Sequence, residues 1–185
     1  MPVDYYRELD KRVSLIQRLY LQKFVKEVVH KIPERMWSAP SSFYHHLDDE
    51  RIEWGNALHT LRVVDTCLIF VDSLLIVDLQ RDLLIAAAIL HDIGKRGLKG
   101  DTFRIMTALH PFIVRDIVRD LDLPNPPQEI MLVFEIIEDH MGKWTTRSLP
   151  RFLGDKTFSP SAVLHLADCI VARWPEVGKV EVNPT

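Results

Sequence analysis

The stretch LLIAAAILHDIGK, residues 83–95, runs through eight apolar residues and then sets His91 and Asp92 side by side. A carboxylate and an imidazole at the edge of a buried segment are costly unless a cation or several donors compensate them. The same juxtaposition recurs along the chain. His59 lies in NALHTLRVV, His110 stands before a proline, His140 follows IMLVFEII, and Asp168 lies inside AVLHLADCIV. Any one of these imidazoles has an ordinary explanation as a hydrogen-bonded core group. Asp168 is harder to explain that way, because Leu164, Ala167, Val171 and Ala172 surround it in sequence. Four histidines and two aspartates on otherwise apolar helical segments together fit a metal centre, built from inward-facing side chains on several helices.

The order His59, His91-Asp92, Asp168, with HDIGK at 91–95, resembles the signature of the HD-domain superfamily of metal-dependent phosphohydrolases. His110 and His140 resemble the additional histidines of members that hold two metals. The resemblance covers about residues 56–174 and implies an all-α fold, a compact helical bundle of about six to seven helices. It implies that His59, His91, Asp92 and Asp168 hold one divalent transition metal ion (Fe, Mn, Co, Zn or Ni), that His110 and His140 hold a second, and that Asp92 bridges them. Imidazole and carboxylate ligands suit such metals better than calcium. Two ions about 3.5–4 Å apart can clamp a phosphoryl group and activate a shared water. The implied activity is hydrolysis of a phosphate ester, monoester or diester, of a small nucleotide or related metabolite by metal-activated hydroxide. A mixed-valent di-iron oxygenase of the myo-inositol-oxygenase-like type uses a similar ligand set, and a non-catalytic metal-binding regulatory module is a third reading.

Lys95, three residues past Asp92, resembles the lysine that family members place near substrate phosphate, where an ammonium neutralises developing charge; otherwise it is a solvated surface lysine. Arg62 shares a helical face with His59, three residues before it. It is a candidate for bidentate phosphate binding or for anchoring Asp92 or another carboxylate behind the ligands. Asp92, Lys95 and Arg62 are therefore the candidate catalytic residues. Lys95 and Arg62, with Trp144 and Arg147 of the following loop, are the candidates for substrate binding. His165 is a candidate outer donor or a structural group. His45, His46 and Glu53 are candidates for the pocket mouth, with surface positions the plainer reading. Glu138 and Asp139 either orient His140 or form a solvated helix end.

These residues need helices to position them. Leu9, Val13, Ile16, Leu19/Tyr20, Phe24 and Val28 recur in steps of three and four, which predicts one amphipathic helix over about 4–30 that either packs on the core or forms a homodimer interface. Pro33 and WSAPSS end it. Further helices are predicted over about 56–75, with Asn56 as N-cap, and from Asp78 to His91. His110-Pro111 opens another that runs to about Leu121, with the proline in a tolerated first-turn position. Two more cover about 127–140 and about 159–174. MGKWTTRSLPRFLGDKTFSP reads as a long loop and residues 175–185 as a loose tail. The whole, 1–185, reads as one HD-type domain.

The totals exclude other classes. With 23 Lys and Arg against 26 Asp and Glu the net charge is −3, which argues against a broad nucleic-acid footprint. No GxGxxG or Walker-type loop is present to cradle a nucleotide. Cys67 and Cys169 form no disulfide framework and read as two buried thiols of a reducing compartment. Asp72 and Asp78 interrupt the most apolar region and the N-terminus lacks a signal core, so a cytoplasmic protein with no membrane span is expected. No sensory or nucleotidyltransferase domain is recognisable, so a free-standing enzyme with a small phosphorylated substrate as its partner is expected.

Overall fold

The computed structural model describes residues 4–41, 46–76, 78–97, 103–142 and 159–173. They form α1 (Tyr5–Val13), α2 (Leu19–Lys31), α3 (Arg35–Ser38), a 3-10 turn (Asp48–Glu50), α4 (Gly55–Ser73), α5 (Asp78–Leu90), α6 (Phe103–Asp120), α7 (Ile130–Asp139) and α8 (Pro160–Arg173). The fold is all-helical, with no strand among the described residues. The eight helices exceed the expected six to seven by a division at the N-terminus and by the short α3.

α5 is the central element. Every residue from Asp82 to Leu90 is buried. A helix apolar all round must be covered on all sides, and α4, α7, α8, α1 and α2 pack on it. Ala86, Ala87 and Ala88 are fully buried within it and add little side-chain bulk where the neighbours approach. α4 joins this layer with His59, Leu61, Val63, Val64 and Cys67 all fully buried. The ends of α5, α4 and α7 thereby converge on the polar cluster described below.

The predicted helix over 4–30 is two helices. Leu9, Val13 and Ile16 stay buried as the steps require, but the chain turns after Val13, and Leu19 and Tyr20, read as part of the same face, are 64 % and 84 % exposed. Asp82 of α5, 2 % exposed, accepts from the backbone N–H of Gln17 (3.0 Å and 3.1 Å) and of Arg18 (2.8 Å). Its carboxylate supplies the cap that α2 lacks from its own residues, since Arg18 makes no side-chain capping bond.

Two other helix starts differ from expectation. Asn56 is not the N-cap of α4. It sits in the first turn, and its Nδ2 donates to the carbonyls of Met36 (2.8 Å) and Asp92 (3.3 Å). Trp54 precedes the helix with φ 67°, a left-handed conformation that surrounding contacts must enforce for a residue of this size. Its N–H donates to Ser38 O at 2.6 Å and its ring stacks on Tyr5 with centroids 5.3 Å apart. α6 begins at Phe103, so His110 and Pro111 lie inside it and not at its start. The proline ring leaves one carbonyl of the preceding turn without its helical donor.

Cys67 is buried, as expected, and Cys169 is only half-buried; both are free thiols. Among the described residues no helix is long and apolar enough to cross a membrane. Most of the predicted loop at 141–160 and all of the tail at 175–185 lie outside the described residues.

Candidate metal centre

Burial comes first. His59, His91 and His140 are fully buried, and Asp92 and His110 are 1 % exposed. The Asp168 side chain retains 17 % exposure. All six predicted ligands meet in one cluster, although Asp168 is 109 positions from His59 along the chain.

Asp92 stands at the middle. Its Oδ2 lies 3.2 Å from His91 Nε2 and 3.4 Å from His59 Nε2, while its Oδ1 lies 3.2 Å from His110 Nε2. His59 Nε2 is 3.0 Å from Asp168 Oδ1, and the Nε2 atoms of His110 and His140 face each other at 3.3 Å. Two subsets of these six have ligand atoms within 4.8 Å of one another, His59, His91 and Asp168, and Asp92, His110 and His140; His46, Glu50 and His59 form a third such group.

The far side of each ring explains its orientation. His91 Nδ1 lies 2.8 Å from Ala88 O, and His140 Nδ1 lies 2.6 Å from Ile137 O. A carbonyl accepts only from a protonated nitrogen, so Nδ1 carries the hydrogen and Nε2 presents its lone pair inward. Helical geometry produces both contacts, since each ring folds back on the carbonyl three residues earlier. His59 Nδ1 donates instead to a carboxylate, Glu50 Oε2, at 3.1 Å.

Electrostatics matches this division. Burial pushes His140 down to about 3, reinforced by the nearby imidazoles of His110 and His91. Burial alone would also lower His59, yet the carboxylates of Glu50 and Asp168 outweigh it and raise the ring to about 9. Burial opposes ionisation of Asp92, but His91, Lys95 and His110 hold its carboxyl well below the usual carboxylate range. Asp168 is likewise held low against burial by His59.

One observation tests the fit of a metal here. His91 Nε2 is buried and lacks a partner of hydrogen-bonding geometry, 3.2 Å from Asp92 Oδ2, which is itself ion-paired with Lys95. Orphaned buried polar atoms of this kind call for an explanation such as an ion. A lone-pair nitrogen beside an ionised oxygen repels it unless a cation lies between, so the donor set fits a divalent metal.

Lys95 extends from the end of HDIGK to Asp92 Oδ2, with 17 % of its side chain exposed. Its Nζ also donates to Ser41 Oγ at 3.1 Å. Arg62, a candidate for substrate, turns its guanidinium to Glu50 (Nη1–Oε1, 2.7 Å) and Asp49 (Nη1–Oδ1, 2.8 Å) and is 7 % exposed. Of its two sequence readings, the carboxylate anchor is the one realised in this geometry, with Glu50 and not Asp92 as the partner. His165 Nδ1 donates to His140 O at 2.6 Å, tying α8 to the end of α7. Glu138 is buried and paired with Arg115 at 2.8 Å, which differs from a solvated helix end. Glu53 is exposed. Trp144, Arg147 and His45 lie outside the described residues.

Gly94 has a steric function. A Cβ there would lie 2.2 Å from His110 O, so only glycine lets the HDIGK segment approach α6 closely enough to set His110 against Asp92.

The HD domain family model matches residues 56–173. The chain belongs to the HD domain family. The HD domain places it among metal-dependent hydrolases that bind divalent metals, in agreement with the buried histidine and aspartate cluster. No curated protein and no solved structure matches the chain.

Glu50 escaped the sequence reading, and His46, read there as a pocket-mouth or surface group, is buried beside it. Glu50 is fully buried and serves His59, and His46 is 7 % exposed, with its Nδ1 2.8 Å from Glu50 Oε2. In LDDERIEWG nothing distinguishes Glu50 from its acidic neighbours. Their exposures do: the Asp48 side chain is 99 % exposed, Asp49 51 % and Glu50 0 %. The useful signal was Gly55, whose missing Cβ admits Glu50 O at 1.9 Å from where that atom would stand.

Proposed function

We infer that this HD domain is a phosphohydrolase with two divalent transition metal ions, acting on a phosphate ester of a small nucleotide or related metabolite. The observation that carries it is the division of Asp92: one carboxylate oxygen faces His59 and His91, the other faces His110. His59, His91 and Asp168 with Oδ2 would hold one ion, and His110 and His140 with Oδ1 the other. When bound, such ions act as Lewis acids that lower the pKa of water and polarise a phosphoryl oxygen.

The protein's own groups do the remainder. The Nδ1 hydrogens of His91 and His140 are engaged by backbone carbonyls, so both rings turn Nε2 toward the cluster. The Lys95 ammonium, paired with Asp92 Oδ2 and partly exposed at the edge of the cluster, would meet a substrate phosphate oxygen. Ser41 holds that ammonium in place from the other side.

A metal-supplemented panel of nucleotides and phosphate esters tests this reading. Phosphate release or diester cleavage is expected only with added metal. Asp92→Ala, which removes an oxygen from both clusters, abolishes it, and Lys95→Ala lowers turnover by about 10²-fold. Undiminished turnover by Asp92→Ala overturns the proposal. Substrate-dependent oxygen uptake without phosphate release overturns it in favour of the oxygenase.

A further inference from the structure

Glu50 lies before the matched region 56–173, on the 3-10 turn Asp48–Glu50, yet it is the most heavily used carboxylate behind the metal ligands. Its Oε2 accepts from Nδ1 of His59 at 3.1 Å and from Nδ1 of His46 at 2.8 Å, and its Oε1 accepts from Arg62 Nη1 at 2.7 Å. Its backbone is fixed as well. Ser41 N donates to Glu50 O at 2.8 Å, and Gly55 leaves the room that this carbonyl occupies.

His59 is unlike His91 and His140. His91 and His140 obtain their orientation from carbonyls of their own helical turns, whereas His59 Nδ1 is held by a residue of another element. A carboxylate in that place fixes the tautomer and raises the basicity of the ligating nitrogen.

We propose that Glu50 is a positioning residue for the metal centre: it holds His59 with hydrogen on Nδ1 and Nε2 directed at the ion, and it makes the turn 46–50 a working part of the site. The inference rests on the metal-centre reading above and adds a residue that lies outside the family match. Arg62 and His46 complete it, the first neutralising the carboxylate and the second occupying the other lone pair of Oε2.

The test is the affinity of the purified protein for Zn²⁺, measured by competition with a chromophoric chelator, for wild type and Glu50→Gln. The glutamine keeps the shape. Its carbonyl can still accept from Arg62, but its amide then presents N–H to His59 Nδ1, which favours the tautomer with hydrogen on Nε2. A 10- to 100-fold loss of affinity is expected. Affinity within twofold of wild type overturns the proposal. Wild type that binds no divalent metal overturns the metal-centre reading itself, a different failure. Should Glu50→Gln not fold, ¹⁵N NMR of the histidine side chains in zinc-loaded wild type decides: His59 with Nδ1 protonated and zinc on Nε2 supports the role, and zinc on Nδ1 overturns it.

Discussion

Replacing Gly94 by alanine isolates the contact that joins the two halves of the cluster. The new Cβ would lie 2.2 Å from His110 O and 3.0 Å from both His110 C and Ile113 Cγ1. Carbon and carbonyl oxygen rarely approach closer than about 3.3 Å, so the HDIGK turn and α6 must separate by about 1.1 Å. If α6 takes that displacement, the separation of His110 Nε2 from Asp92 Oδ1, now 3.2 Å, opens to about 4.3 Å. Metal ligands tolerate only about 0.2 Å of error. Ion binding at His110, His140 and Asp92 should therefore fail, while His59, His91 and Asp168 keep their mutual geometry. Overpacking of this kind also costs about 1–3 kcal/mol of stability. Elemental analysis of metal-equilibrated protein measures the first effect, and denaturant unfolding of the metal-free protein the second. The expected result is loss of about one equivalent relative to wild type, with lower stability. Full metal content together with unchanged stability would refute the reasoning, because the contact would then have relaxed without moving His110.

Other outcomes follow from the same geometry. Asp82→Ala removes the carboxylate that caps α2 through the N–H groups of Gln17 and Arg18 and should cost about 0.5–2 kcal/mol in denaturant unfolding, with metal content unchanged; loss of metal with normal stability would contradict this. The metal-free protein should be most stable near pH 6.5. His59 at about 9 keeps in the fold a proton that the unfolded chain loses near 6.5, so stability is fully present below that pH and declines as pH rises through 9. His46 at about 4 and His140 at about 3 stay neutral in the fold while the unfolded chain takes up protons, so stability also declines as pH falls from 6.5. Bound metal replaces the His59 proton, so affinity should rise from pH 7 to 9; a metal-free melting temperature that stays flat or rises over that interval contradicts the assignment.

The buried histidine and aspartate cluster was legible in the sequence because a charge inside an apolar run is chemically conspicuous. His91-Asp92 after LLIAAAIL and Asp168 within AVLHLADCIV could not be ordinary surface groups, and the 3.6-residue period supplied the helices that carry them. Glu50 and Gly94 were not legible as working parts, for a common reason. Their roles consist of distances to residues far away in sequence, His59 and Arg62 for one and the His110 carbonyl for the other. The corner between α1 and α2 was hidden similarly, since apolar residues continue through it in steps of three and four although Leu19 and Tyr20 stand exposed, and the cap comes from Asp82, 65 positions from Gln17. Sequence by itself thus determined which chemistry the protein carries and which faces must be buried, because residue type and period are local properties. Tertiary structure alone decided which carboxylate stands behind His59, where Arg62 points and how the two halves of Asp92 are shared, because each depends on where distant segments meet.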